Sequence, residues 1–193
     1  MDEALTKDLQ KYLLGLAREA IRNHLEGRAK PKVEKKDKIL SEKRGAFVTL
    51  TIAGQLRGCI GYPLPIKPLA EAVLDMAVAA ATQDPRFDPL EAEDLDKVHI
   101  EISVLSLPRK VKGPEDVEVG KHGIIISKGG NKGLLLPQVP TEYGWDRETY
   151  LRSGCLKAGL DPNEWKKGVT IEVFTAQVFS EDKKDMDKED RRQ

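Results

Sequence analysis

The chain has 193 residues, 39% hydrophobic and 33% charged, and its 32 basic and 32 acidic side chains give a formal net charge of zero. That describes one globular domain, or two small lobes sharing a core, under a heavily charged surface, and excludes a surface tuned throughout for nucleic acid. No apolar run is long enough to span a bilayer and no cleavable signal pattern opens the chain, so no membrane association and a cytoplasmic location are expected. Abundant Lys and Glu resemble a thermophile's composition. Cys59 and Cys155 are the only cysteines. In a reducing compartment they are expected as free thiols, and without CxxC or CxxH spacing no metal is expected.

In chain order, Leu5, Leu9, Tyr12, Leu13, Leu16, Ala20 and Ile21 recur at three- and four-residue steps. This spacing predicts an amphipathic helix over 5–25, stopped by Gly27. Residues 28–38 hold six basic side chains against Glu34 and Asp37. They read as a solvated linker or as an arm that touches phosphate. An apolar run at 46–52, an Ala53-Gly54 turn and Leu56-Arg57-Gly58-Cys59-Ile60-Gly61 make a β-hairpin. Pro68 starts a helix over 69–82, and a short acidic helix is expected over 90–97. Residues 98–105 alternate as a strand, with Val98, Ile100, Ile102 and Val104 inward. A charged connection over 108–120 leads to a second hairpin at 123–127 and 132–136 around Lys128-Gly129-Gly130-Asn131. Asp146 caps a helix to 158, a brief helical turn follows at 161–165, and 169–178 forms the last strand. The tail, 181–193, carries mixed charge and is expected to fray.

The hexapeptide at 56–61 resembles the signature of the AMMECR domain family, named after a human X-chromosomal deletion region. The likeness continues through Asp84-Pro85-Arg86-Phe87 and Leu134-Leu135-Leu136-Pro137-Gln138-Val139 to Leu156-Lys157-Ala158-Gly159-Leu160. It covers most of the chain and implies a prokaryotic, archaeal member whose domain occupies 1–180. The resemblance implies a fold but names no reaction.

The two halves also read as one plan used twice, over about 45–107 and 121–180. Gly45-Ala46-Phe47-Val48, a turn and Arg57-Gly58 correspond to Gly123-Ile124-Ile125-Ile126, a turn and Lys132-Gly133. Each hairpin precedes helices and a closing strand, Ile100-Glu101-Ile102 matching Ile171-Glu172-Val173. The predicted fold class is therefore α+β, two quasi-repeated hairpin–helices–strand units whose antiparallel sheets combine, flanked by helices. Leu134 stands where Cys59 does, so that position tolerates an apolar side chain.

Strand alternation sends Gln55, Arg57 and Cys59 to the face opposite Leu56 and Ile60. Cys59 beside a guanidinium is a candidate catalytic thiolate, although no histidine lies near it in sequence; otherwise it is a small buried hydrophobe. Arg57 needs an anion, either a ligand or an internal acid such as Asp84 or Glu101. Gly58 and Gly61 mark a close backbone approach and are candidate ligand contacts. The rigid loop around Arg86 presents a second candidate anion binder, with Asp84 as turn cap and Phe87 as core plug. Gln138, freed by Pro137, completes the candidate ligand-binding set. His99 and Glu101 share a strand face but lack further metal ligands, and Lys157 suits its helix end without any function.

These residues predict that Arg57, Cys59 and Arg86 meet at a concave surface that binds a small anionic molecule, in an enzyme or a binding protein. The alternative is a regulatory or interaction module that touches nucleic acid through 28–38. Family association implies Memo-like or radical-SAM proteins as partners. No cofactor and no reaction follow from the sequence.

Overall fold

The computed structural model describes residues 4–181. Of the charged tail, all but Glu181 lies outside the described residues. Thr6 caps the first helix, α1 (Lys7–Leu25), its side-chain oxygen accepting from Leu9 N at 3.3 Å. Gly27 follows with a left-handed φ of 68°. Leu9, Leu13, Leu16 and Ile21 are buried, as their spacing predicts. Each stabilises the fold by about 1.5–3 kcal/mol through apolar burial. A four-residue helix, α2 (Lys38–Ser41), begins at the Asp37 cap, where the sequence predicts only the end of a linker.

β1 (Ala46–Ile52) and β2 (Gln55–Tyr62) form the predicted hairpin. Ala53 and Gly54 take φ values of 51° and 79°, a mirror-image turn that matches strand twist. α3 (Leu69–Thr82) and β3 (Val98–Leu105) follow, with a 3-10 turn over Ala92–Lys97 in place of the predicted short helix. The chain continues through β4 (Arg109–Lys110), β5 (Gly123–Lys128), β6 (Asn131–Leu135), α4 (Val139–Glu142), α5 (Arg147–Lys157), β7 (Thr170–Phe174) and β8 (Ala176–Ser180).

The architecture is α+β, with two four-stranded sheets, ordered β2-β1-β3-β8 and β6-β5-β7-β4. In each, the first hairpin strand is central, between its hairpin partner and the strand that closes the segment. The chain divides into two compact units, 105–176 and the remainder. In the first unit, α1 and α3 share one core with Val48 and Leu50 of β1 and Ile100 and Ile102 of β3. In the second, Tyr150, Leu151 and Cys155 of α5 pack with Ile124 and Ile126 of β5.

One predicted element is corrected. The strand over 169–178 is broken at Thr175, because β7 pairs with β5 while β8 joins the other sheet. Thr175 is anchored at the break: its N–H donates to Ser106 Oγ at 2.9 Å and its carbonyl accepts from Ser106 N at 2.8 Å. Among the described residues no helix is long and apolar enough to cross a membrane.

Candidate functional site

β2 is the outermost strand of its sheet, and it is irregular. Cys59 lies opposite Thr49 and Gly58 opposite Leu50, but the next pair is Leu56 with Thr51. Arg57 is the extra residue of a β-bulge. The bulge reverses the alternation beyond it, so Leu56 does not join Ile60 on the core side and is 41% exposed. The strict alternation predicted for the hexapeptide fails there for that reason.

A helix end lies directly on this strand. A Cβ added to Gly58 would stand 2.0 Å from the Ala80 carbonyl oxygen, so only glycine lets α3 come this close. At Gly61 a Cβ would lie 2.2 Å from the Phe47 ring. Both glycines, candidates for ligand contact, are thus engaged in packing within the unit.

Just past α3, Asp84 turns back onto the strand. Its carboxylate, 4% exposed, accepts the Cys59 N–H at 2.8 Å. It also takes Arg86 in a fork, from Nε at 3.0 Å and Nη2 at 2.7 Å, and accepts the Arg86 N–H at 3.2 Å. The same Nη2 reaches the Cys59 carbonyl at 3.4 Å. One ion pair therefore meets both the N–H and the C=O that Cys59 presents on the free edge of β2, groups that would otherwise invite another strand. Arg86 holds the Asp84 carboxyl well below the usual carboxylate range, against the opposing effect of burial. The acid that the sequence offers as a partner for Arg57 is thus paired with Arg86.

Arg57 reaches the loop that follows. Nη1 donates to the Asp88 carbonyl at 2.6 Å and Nη2 to the Pro89 carbonyl at 3.4 Å. Among the described residues no carboxylate forms an ion pair with it. The Phe87 ring centre lies 6.0 Å from the Arg57 guanidinium carbon and 5.4 Å from that of Arg86, both at cation–π range. Arg57, Pro85, Arg86, Phe87 and Asp88 line a hollow of about 390 Å³, open to solvent. Asp94, further along, is held low first by the hydrogen bond from Lys97, at 3.2 Å, and least by the charge of Arg57.

The structure brings Arg57 and Arg86 together and joins Cys59 to them through its peptide. The Cys59 thiol is half-buried and accepts from Thr49 Oγ1 at 3.3 Å; Cys59 is not among the residues that line the hollow. Gln138 belongs to the second unit, exposed just before α4, where its carbonyl accepts from Thr141 and Glu142. His99 is bound through Nε2 to the Glu181 carbonyl at 2.7 Å. Asp88, absent from the predicted set, is the residue the sequence reading misses. Its only signal is its place between Phe87 and Pro89 in a proline-stiffened loop.

The linker is largely exposed but pinned: Tyr12 Oη accepts the backbone N–H groups of Glu34 and Lys35, each at 3.1 Å. Lys30 and Lys67 both pair with Asp75 of α3.

Comparison with known proteins agrees with this fold. The family model described as AMMECR1 matches residues 14–179. Protein MK0488 of Methanopyrus kandleri is 47% identical, over 94% of this chain and 93% of its own length. Protein MJ0810 of Methanocaldococcus jannaschii is 46% identical, over 92% of each chain. Among solved structures, that of the uncharacterized protein PH0010 from Pyrococcus horikoshii superposes with a TM-score of 0.77 at 40% identity, covering 92% of this chain and 94% of the other.

Proposed function

The chain belongs to the AMMECR1 family, and from that premise and the geometry of its first unit we propose that the Arg57 hollow binds a small anionic ligand. The observation that carries this reading is the bonding of Arg57, whose guanidinium donates to two neutral carbonyls and is within bonding distance of no carboxylate among the described residues. A guanidinium has five donors, and two carbonyls leave several for a carboxylate or phosphate. Arg57 is also held in advance by the loop and by Phe87, which lowers the ordering cost of binding. Arg86 supplies a second cation, fixed by Asp84. In this reading Cys59 serves the site through its peptide, as the anchor for Asp84 and Arg86.

The test is a thermal-shift titration with acetate and phosphate at constant ionic strength. Ligand that binds only the folded state raises the melting temperature in proportion to ln(1 + [L]/Kd). A rise in the wild type that follows this logarithmic form and is lost in Arg57→Ala supports the proposal, and equal rises in both proteins overturn it.

A second reading, as an interaction module, rests on a separate hollow of about 530 Å³. Lys35, Lys36 and Lys38 line it, opposed by Asp37 and Glu71. Binding of a single-stranded RNA that weakens steeply with salt and disappears on exchanging these lysines for serine would favour it. The common strand order of the two sheets we read as one plan used twice. The two free thiols suit a cytoplasmic protein.

A further inference from the structure

The hollow contains a second unmatched charge. Asp88 lines it beside Arg57, and among the described residues its carboxylate has no cationic partner. The two residues are in contact, yet Arg57 bonds the Asp88 carbonyl and not its carboxylate. Arg86 also lines the hollow, but its charge is offset by the buried Asp84. What remains without an ionic partner is the Arg57 guanidinium, carried by β2, and the Asp88 carboxylate, on a loop stiffened by Pro85 and Pro89.

A simple anion brought to Arg57 would stand beside the Asp88 carboxylate and be repelled by it; a phosphate dianion would be repelled more strongly. A ligand that also carries an ammonium neutralises both groups at once. We infer that the ligand is a zwitterion of the free α-amino acid class, its carboxylate on Arg57 and its ammonium on Asp88. The two charged groups of such a ligand are substituents of one carbon, and the two protein groups sit on residues in direct contact. About 390 Å³ leaves room for a side chain beyond them, near the lower end of ordinary small-molecule pockets. This inference rests on the anion-site reading and narrows it from any small anion to one with a built-in cation.

The experiment compares glycine, acetate and methylamine, which share one small frame and differ in charge. Each is titrated near neutral pH and at fixed ionic strength into the wild type, Asp88→Asn and Arg57→Ala, with binding read from NMR shifts of the Phe87 and Asp88 amides. In the wild type glycine is expected to bind about tenfold tighter than acetate, the worth of one charge-assisted hydrogen bond. Asp88→Asn should bring glycine down to the level of acetate while leaving acetate as tight or tighter. Arg57→Ala should lose both. Glycine no tighter than acetate in the wild type, or unaffected by Asp88→Asn, would overturn the inference while leaving the anion site standing. No saturable shift with either glycine or acetate would remove both.

Discussion

The two hairpins solve one packing problem with the same residue and then diverge. In the first, Gly58 lies under the carbonyl of Ala80 near the end of α3; in the second, Gly133 lies under the peptide of Ala158 at the end of α5, where a Cβ would stand 2.3 Å from Ala158 N. Both helix ends press on the second strand of a hairpin. Past that point the second unit closes its helix locally: Gly159 turns with a φ of 71°, and the Leu160 N–H returns to the Cys155 carbonyl at 2.9 Å. The first unit instead places Asp84 there, and its carboxylate crosses to Cys59 and takes Arg86 with it. Packing a helix on a hairpin therefore requires the glycine but not the Asp84–Arg86 pair. The pair guards a strand edge and fixes an arginine at a hollow, and the second unit, where Leu134 follows the glycine, folds without it.

The largest expected effect tests the shared part. Gly58→Ala and Gly133→Ala each force a Cβ into backbone atoms. Each should cost at least about 1–3 kcal/mol, the usual range for overpacking, read from the midpoint of chemical denaturation. A Gly133→Ala protein as stable as the wild type would break the equivalence of the two hairpins.

The next effect belongs to the first unit alone. Asp84→Asn removes the charge that orders Arg86 and weakens the bond to Cys59 N, and should cost about 2 kcal/mol, the scale of hydrogen bonds to a charged group. Asp84 also gives this unit an acid dependence. Its folded carboxyl titrates below the unfolded value, so its contribution is complete above about pH 4 and fades as the pH falls further. Denaturation followed downward from pH 5 should show a steeper loss in the wild type than in Asp84→Asn; parallel curves would mean that the pair contributes nothing to stability.

The thiols sharpen the comparison further. Cys155 is fully buried, and burial pushes its thiol up, whereas Cys59 is half-exposed. A thiol reagent should label Cys59 first in the folded protein, and Arg57→Ala should leave that rate unchanged, because Arg57 bonds the Asp88 loop. A large loss of reactivity in Arg57→Ala would place the guanidinium beside the sulfur and return Cys59 to the site as a reactant. The smallest effects lie in the linker. Exchanging Lys32 or Lys36 for serine should change stability by no more than about 0.5 kcal/mol. Tyr12→Phe should cost more, about 1 kcal/mol, because two linker N–H groups lose their acceptor.

Much of this is written in local patterns. The helix stripe of α1, the runs of β1 and β3 and the glycine turns stand in windows of a few residues, and the structure follows them. What is not legible depends on partners far along the chain. Thr175 carries no glycine or proline signal; it divides two strands because β5 claims one side and the other sheet claims the next. The bulge at Arg57 is set by β1 and reverses the face of Leu56. Arg57 and Arg86 stand out as cations that need partners, but the acid that takes Arg86 and the carbonyls that take Arg57 are chosen by the turn after α3. Asp88 looks like an ordinary residue before a proline until that turn brings it to Arg57.

The most direct test of the anion site is an NMR titration that follows the side-chain Nε–Hε resonance of Arg57 as acetate is added at constant ionic strength. A saturable shift of that resonance is expected, accompanied by Phe87 and Asp88 and absent from residues of the second unit, with the Phe87 and Asp88 shifts lost in Arg57→Ala. A linear drift shared by arginines across the surface would show that the hollow has no binding site and that Arg57 does no more than tie its loop to the strand.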